Sequence, residues 1–295
     1  MSKRGLAIVG IGEVPTSRDP ERTRWDILLD VCMQAIRDAG IDKNRIGAVI
    51  SNNPMAQPAM QNDMALGKIP EVMGLEGCRD IAICNAGGAS TTNCLRLAEQ
   101  HIESGQADFV LVPHTTIQSD IPPQQLINFF ATAPLDKQFE YPYGVTFNGS
   151  MGLITQRYLY ETGATEEELA AVTVALRAWG ALDPLSIFYG KPISLDDVMN
   201  SRMISTPLKA KECNLLADGG GAMVVTSHAI AKEMGDKAVY KLGHGTRFMS
   251  ATPFMREDIF HRKAYRESSQ DALAQAGLSI EDMDLRQIYG AYPYT

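Results

Sequence analysis

Short apolar runs alternate with segments of helical periodicity over the first part of the chain. The apolar runs predict four strands, which are Leu6–Gly12, Ile46–Ser51, Asp80–Cys84 and Asp108–Pro113. Between them, Trp25–Ala39 and Ala89–Glu103 place apolar residues on one helical face, and a glycine that can cap a helix follows each segment. A chain that alternates buried strands with amphipathic helices is typical of an α/β fold.

A short internal repeat predicts that this pattern occurs twice. The segment Ala35–Ile41 recurs as Ala272–Leu278, and Ile8–Gly12 corresponds to Lys241–Gly245, which shares its Gly-x-Gly. Helices that end in Ala-Gly are common, so one match alone would be chance, but two matches in the same order favour duplication. The second copy reaches Thr295 before a further strand, helix and strand, so we expect a C-terminally incomplete second half.

The long segment between the two copies predicts an inserted helical domain. It contains the aromatic run Phe139–Phe147, a predicted helix at Gly149–Tyr160, and a second helix at Thr165–Trp179 that opens with a Thr-x-x-Glu capping box. After it, the apolar strand Met223–Ser227 should return the chain to the first sheet. The predicted domains are an N-terminal half (1–114 plus 206–235), a loop or cap domain (115–205) and the start of a C-terminal half (236–295).

Composition limits the classes of partner. The chain has 45% hydrophobic residues, a formal charge of -8 and a pI near 5.2, so it should be a globular protein that does not bind nucleic acid. The N-terminal apolar run is too short to span a bilayer, so we expect a cytoplasmic protein with no membrane partner. The five cysteines show no metal-ligand spacing, and we expect reduced thiols and no metal site.

A family resemblance is carried by the end of the insertion. The segment Ser201–Lys209, followed by Glu212-Cys213 and Asp218–Ala222, resembles the signature that closes the loop domain in sterol-carrier-protein-type thiolases. The helix and Asp-Pro turn of Arg177–Phe188 are also similar to that branch of the thiolase superfamily. The resemblance implies a duplicated αβαβα core in five layers, a helical loop-domain insertion that covers coenzyme A thioesters, and a homodimer formed through the N-terminal halves.

The thiolase nucleophile is a cysteine at the start of a helix, where backbone N–H groups and the helix dipole favour the thiolate. When the family motif is counted back from Ser104-Gly105, the nucleophile position holds Gly88, so the chain resembles a nucleophile-less member of the branch. Cys84 lies four residues earlier and would serve only if the turn were locally lengthened. Gly88 and Asn85 are candidate substrate-binding residues of this turn.

Other candidate site residues lie further along the chain. Where the family has a His-Asp-Cys-Phe or Asn-Glu-Ala-Phe motif, this sequence has Tyr289-Gly290-Ala291-Tyr292. Tyr289 is a candidate catalytic donor, acid or base, and the alternative is an aromatic residue packed at a strand end. His244 is a further catalytic candidate, and His114, Tyr143 and Phe147 are candidates for substrate binding, although both histidines also suit purely structural roles.

Three hypotheses of function follow from the resemblance. The first is an enzyme that makes or breaks a carbon–carbon bond on an acyl-CoA thioester, of aldolase/lyase or acyltransferase type, with the coenzyme A thioester as substrate and no covalently bound cofactor. The second is a thiolase that uses Cys84. The third is a non-catalytic acyl-CoA or lipid-binding subunit. Relatives without the nucleophile also imply a small partner protein with a zinc ribbon and an OB-fold.

Overall fold

A computed structural model of the chain describes residues 5–18, 22–52, 59–116, 121–122, 124–126, 135–136, 138–144, 146–249 and 263–294. For residues 59–65 it describes the backbone only. The chain divides into two compact units, Met1–Asp120 with Ala217–His244 and Ile121–Leu216 with Gly245–Thr295. The domain boundaries expected from the sequence stay a prediction. Within the described residues, no helix combines the length and the apolar character needed to cross a membrane.

The described strands and helices have the following bounds. The strands are β1 Leu6–Ser17, β2 Ile46–Ser51, β3 Asp80–Ile83, β4 Phe109–Thr116, β5 Met203–Ser205, β6 Leu208–Lys209, β7 Asp218–Ser227 and β8 Val239–Tyr240. The helices are α1 Arg24–Asp38, α2 Ala59–Met73, α3 Ser90–Glu103, α4 Phe147–Thr162, α5 Glu166–Leu182, α6 Leu195–Met199, α7 His228–Met234 and α8 Lys263–Ala276.

The first unit is built on a six-stranded mixed sheet in the order β3-β2-β4-β7-β1-β8. Strand β2 runs parallel to both β3 and β4, as strands joined by crossover helices do. Strand β7 runs antiparallel to β4 on one side and to β1 on the other. The predicted return of the chain to the first sheet after the insertion is therefore confirmed, and the thiolase-like α/β fold class agrees with it.

Helices cover both faces of this sheet because the strand residues alternate in direction. Val49 points into the apolar cluster formed with α1 and α2, whereas its neighbour Ile50 points into the cluster formed with α3. Helix α1 approaches β1 closely: a Cβ at Gly10 would lie 2.3 Å from the Ala35 carbonyl oxygen, and one at Gly12 would lie 2.1 Å from the Val31 carbonyl oxygen. The two glycines therefore allow this backbone contact.

The second unit contains the helices predicted for the insertion. Helix α5 begins with the predicted capping box, in which the Thr165 hydroxyl accepts the Glu168 N–H at 3.2 Å and the Glu168 carboxylate accepts the Thr165 N–H at 2.8 Å. Strands β5 and β6 form a small hairpin. The ammonium group of Lys209, which is 6% exposed, contacts the Glu166 carboxylate at 2.5 Å and so ties this hairpin to the start of α5.

Two local expectations for the second half are wrong. The strand expected at Lys241–Gly245 is replaced by β8, which ends at Tyr240, and residues 241–249 have no regular structure. Residues 283–290 also form no strand, so Tyr289 does not lie at a strand end. A strand needs a neighbour for its ladder of hydrogen bonds. Within the described residues, β8 pairs only with Ala7 and Ile8, and no pairing is present for the later segment.

Candidate active site

The turn that joins β3 to α3, residues 84–90, carries the candidates Cys84, Asn85 and Gly88. Its entry is fixed because the Cys84 N–H donates to the Ser51 carbonyl at 3.0 Å, which extends the pairing with β2 by one residue. Its exit is fixed by Ser90, whose hydroxyl accepts the Ala86 N–H at 2.8 Å and donates to the Gly87 carbonyl at 2.6 Å. Asn85 and Gly88 are exposed between these two anchors.

Gly88 occupies a position that a side chain would fit. It lies just before Ala89, the N-cap of α3, and a Cβ built on it meets no atom within 4 Å. Its backbone lies outside the left-handed region, whereas the neighbouring Gly87 has φ of 58° and makes the left-handed step of the turn. The geometry of the turn therefore requires glycine at position 87 but not at position 88.

Cys84 lies on the strand side of this turn. Its half-buried side chain packs against the apolar cluster under α3, and the Cys94 thiol lies 3.8 Å from the Cys84 carbonyl oxygen. Burial raises the pKa of Cys94 to about 12, with the neighbouring Cys84 adding to the effect, so Cys94 is a buried thiol as its sequence position indicated. Five residues separate Cys84 from Ser90, the first residue of the helix. Its role as a nucleophile stays a prediction.

The surroundings of the two candidate histidines favour the neutral form of the imidazole ring. His114 lies on β4 opposite Gly221, and its buried Nδ1 has no hydrogen-bond partner among the described residues. Burial lowers the pKa of His114. The pKa of His244 is lowered first by burial and then by Lys241 and Arg96, and Glu99 opposes this effect.

In the second unit, aromatic residues near the end of the described chain dock on the first turns of α4. The Tyr292 hydroxyl donates to the Asn148 side-chain oxygen at 2.5 Å, and the Tyr292 ring lies 6.1 Å from the Phe147 ring. Tyr292 is 5% exposed, and burial raises its pKa. The Tyr294 hydroxyl contacts the Met151 sulfur at 3.6 Å. We call Tyr289, Tyr292 and Tyr294 the tyrosine cluster.

Tyr289 is the exposed member of the tyrosine cluster, with 69% of its surface accessible. Its hydroxyl oxygen accepts a hydrogen bond from the Asn214 side-chain amide at 3.1 Å. The substrate-binding candidate Tyr143 lies in the turn before α4 and is 81% exposed. The arrangement presents a phenol that is held on one side and open on the other, which suits a hydrogen-bond donor to a substrate oxygen.

Comparison with known proteins finds relatives that share nearly the whole length of the chain. No family model matches the chain, but three curated relatives cover 98% of it. The benzoylsuccinyl-CoA thiolase subunit BbsB of Thauera aromatica is 28% identical over 73% of its own length. An acetyl-CoA acetyltransferase of Methanothermobacter thermautotrophicus is 26% identical over 74%, and a 17-hydroxy-3-oxo-4-pregnene-20-carboxyl-CoA lyase of Mycobacterium tuberculosis is 26% identical over 76%. Over nearly its whole length, the chain is therefore similar to thiolase-type enzymes.

Solved structures agree with this assignment at the level of the fold. The structure described as an Ltp2-ChsH2(DUF35) aldolase superposes with a TM-score of 0.83 at 24% identity, covering 98% of this chain and 74% of that chain. A thiolase-like protein of the sterol-carrier-protein type from Mycobacterium smegmatis superposes with a TM-score of 0.73 at 18% identity, covering 99% of this chain and 61% of that chain. The thiolase fold class predicted from the sequence is thus confirmed.

The sequence patterns did not predict two polar residues of the candidate site. Asn214 contacts Tyr289 over a sequence separation of 75 residues, and Asn148 contacts Tyr292 over a separation of 144. Pairings so distant in sequence leave no local signature. The one available signal was that Asn214 directly follows the Glu212-Cys213 pair of the loop-domain signature.

Proposed function

We propose that this thiolase-like protein is an enzyme that makes or breaks a carbon–carbon bond on an acyl-CoA thioester. The relatives support it, since their names include a thiolase subunit, an acetyltransferase and a lyase, all for coenzyme A thioesters. Between the reaction types, we favour the aldolase or lyase type. The observation that carries this choice is Gly88, because the position before α3 holds no thiol although a side chain would fit there.

The proposed lyase reaction needs no acyl-enzyme. A base removes the proton of the β-hydroxyl, the bond between the α and β carbons breaks, and a ketone or aldehyde leaves. The electron pair forms the thioester enolate, whose oxygen requires a hydrogen-bond donor, and a proton then returns to the α carbon. We assign the donor role to Tyr289, because its hydroxyl is exposed and is already held from one side by Asn214.

The alternative within the family is acyl transfer through Cys84. The observation in its favour is that Cys84 belongs to the same turn as Gly88 and is half-exposed. Against it, Cys84 lies on the strand side of the turn, and its side chain packs against the apolar cluster under α3. We keep His244 as a catalytic candidate. Asn85, His114, Tyr143 and Phe147 remain candidates for substrate binding.

A partner protein forms part of the proposal. One relative is named as a subunit, and the aldolase structure that resembles this chain pairs Ltp2 with ChsH2(DUF35). We therefore propose that the chain forms a homodimer and acts with a small partner that carries a zinc ribbon and an OB-fold. The coenzyme A thioester is proposed as substrate rather than as a bound cofactor, and a cytoplasmic location remains the prediction from the sequence.

The test is an assay of the purified protein with a short 3-hydroxyacyl-CoA as the probe, with products followed by mass spectrometry. The proposal expects release of a shorter acyl-CoA and a carbonyl compound, loss of at least tenfold in kcat for Tyr289→Phe, and full activity for Cys84→Ser. Loss of activity in Cys84→Ser, together with an acyl adduct on Cys84 in the native protein, would support the acyl-transfer alternative. Binding of acyl-CoA without turnover of either kind would identify a non-catalytic subunit.

A further inference from the structure

The hydrogen bond between Asn214 and Tyr289 fixes the position of the Tyr289 side chain and also the direction in which its hydroxyl can donate. The Asn214 amide nitrogen is the donor and the Tyr289 hydroxyl oxygen is the acceptor, at 3.1 Å. A phenol has one hydrogen to donate and an oxygen that can accept. When that oxygen accepts from Asn214, the hydroxyl hydrogen is left to point elsewhere, so the contact determines which of its two functions Tyr289 keeps.

Both partners of this contact lie on segments that are anchored independently. Asn214 follows a short helical turn, Ala210–Glu212, in which the buried Glu212 carboxylate accepts the Lys209 N–H at 2.8 Å. Tyr289 precedes Tyr292, whose buried hydroxyl is bonded to Asn148 at the start of α4. The bond therefore joins two segments that other contacts already hold, which reduces the entropy lost when it forms.

Tyr292, the fourth residue of the Tyr289-Gly290-Ala291-Tyr292 segment, supports this interpretation. The family motifs that this segment resembles end in phenylalanine, whereas Tyr292 adds a hydroxyl and uses it to bind Asn148. Ring packing against Phe147 alone would have served to bury the residue. This additional hydrogen bond holds the chain at Tyr292, three residues after Tyr289. A small backbone shift at Tyr292 would also move the Tyr289 hydroxyl.

We propose that Asn214 is a positioning residue for Tyr289: its amide donates to the phenol oxygen and so directs the hydroxyl hydrogen toward the thioester oxygen of the substrate. The inference rests on the proposed function, in which Tyr289 stabilises the enolate oxygen. It deepens that function by naming the residue that directs the hydroxyl hydrogen of Tyr289 toward the substrate.

The test uses two variants that differ in the direction of the bond. Asn214→Asp keeps the size and shape of the side chain, but a carboxylate only accepts, so it captures the hydroxyl hydrogen of Tyr289. Asn214→Leu removes the bond and leaves that hydrogen free to reach the substrate. With a short 3-hydroxyacyl-CoA as the probe, we expect Asn214→Asp to lose about tenfold or more in kcat with little change in KM, and Asn214→Leu to lose less.

A second measurement separates this inference from the proposed function. The probe is 3-fluorotyrosine at position 289, with no substrate present. The ¹⁹F resonance of Asn214→Leu, which lacks the bond, should lie between that of the native protein and that of Asn214→Asp, because the phenol oxygen accepts in the native protein and the hydroxyl donates in Asn214→Asp. If Tyr289→Phe keeps full activity, the catalytic role of Tyr289 is wrong, yet the ¹⁹F shifts still report the bond. If the Asp and Leu variants give the same kcat and the same ¹⁹F shift, the direction of the bond has no effect and the inference is overturned. Because Asn214 is exposed, both variants should unfold at the native temperature.

Discussion

Replacement of Gly88 by cysteine tests whether this position is the place of a thiolase nucleophile. A Cβ there meets no atom within 4 Å, and the backbone lies outside the left-handed region, so the variant should fold. A substitution of this kind at a compatible glycine changes the free energy of unfolding by under about 1 kcal/mol. The introduced thiol would lie just before the N-cap of α3, at the positive end of the helix dipole.

The expected rate of alkylation follows from the thiolate fraction. A free thiol of pKa about 8.5 is roughly 3% thiolate at pH 7, and lowering that pKa by about one unit raises the fraction to roughly 24%. The introduced thiol should therefore react with iodoacetamide up to about eightfold faster than a free thiol, less a small loss of intrinsic nucleophilicity. The rate is measured site by site with mass spectrometry in a Cys84→Ser background.

Ser104→Cys provides the matched control. Ser104 is the exposed C-cap of the same helix, so a thiol there meets the negative end of the dipole and should react more slowly than a free thiol. If the thiol introduced at position 88 reacts no faster than the one at position 104, the helix start does not activate a nucleophile. The argument that Gly88 occupies a vacated catalytic position would then be refuted.

Three further predictions concern stability. Gly12→Ala should lower the free energy of unfolding by about 2–3 kcal/mol, because its Cβ would lie 2.1 Å from the Val31 carbonyl oxygen; a shift in the urea midpoint below about 0.5 kcal/mol would contradict this. Tyr292→Phe should cost about 1–2 kcal/mol, because it removes the partner of Asn148 and keeps the ring, and thermal unfolding measures it. Burial raises the pKa of Glu212, so the native state holds that proton more tightly than the unfolded state, and this group makes stability fall as pH rises above about 4.5. Glu212→Gln should flatten that fall, and an unchanged slope would show that Glu212 does not titrate in this way.

The first unit could be predicted in detail because its signals are local. Ile46–Ser51 is a short apolar run buried on both faces, and the structure gives β2 the same bounds. The Thr165 capping box likewise marks the start of α5 within the sequence itself. Strands β1 and β4 run past their predicted ends, to Ser17 and Thr116, because β7 lies between them and pairs with both.

The site was less predictable, since its contacts depend on distant parts of the chain. Counting along the family motif located Gly88, but only the structure reveals that Cys84 extends the β2–β3 pairing through Ser51. The apolar residues near Tyr289 resemble a strand, yet a strand forms only where another strand is available to pair with it. The partners of Tyr289 and Tyr292 come from segments that no local pattern connects to them.

The position of β7 in the sheet has a consequence for the order of assembly. Leu6 pairs with Ser227, and Phe109 pairs with Thr226, so two early strands share a neighbour that the ribosome makes much later. Until β7 emerges, β1 has no strand of the first half beside it, while the helices of the insertion are already complete. Closing so long a loop slows folding, and a nascent chain that carries unpaired edges is exposed to aggregation meanwhile. We therefore expect the N-terminal strand to depend on protection from aggregation until β7 has been synthesised.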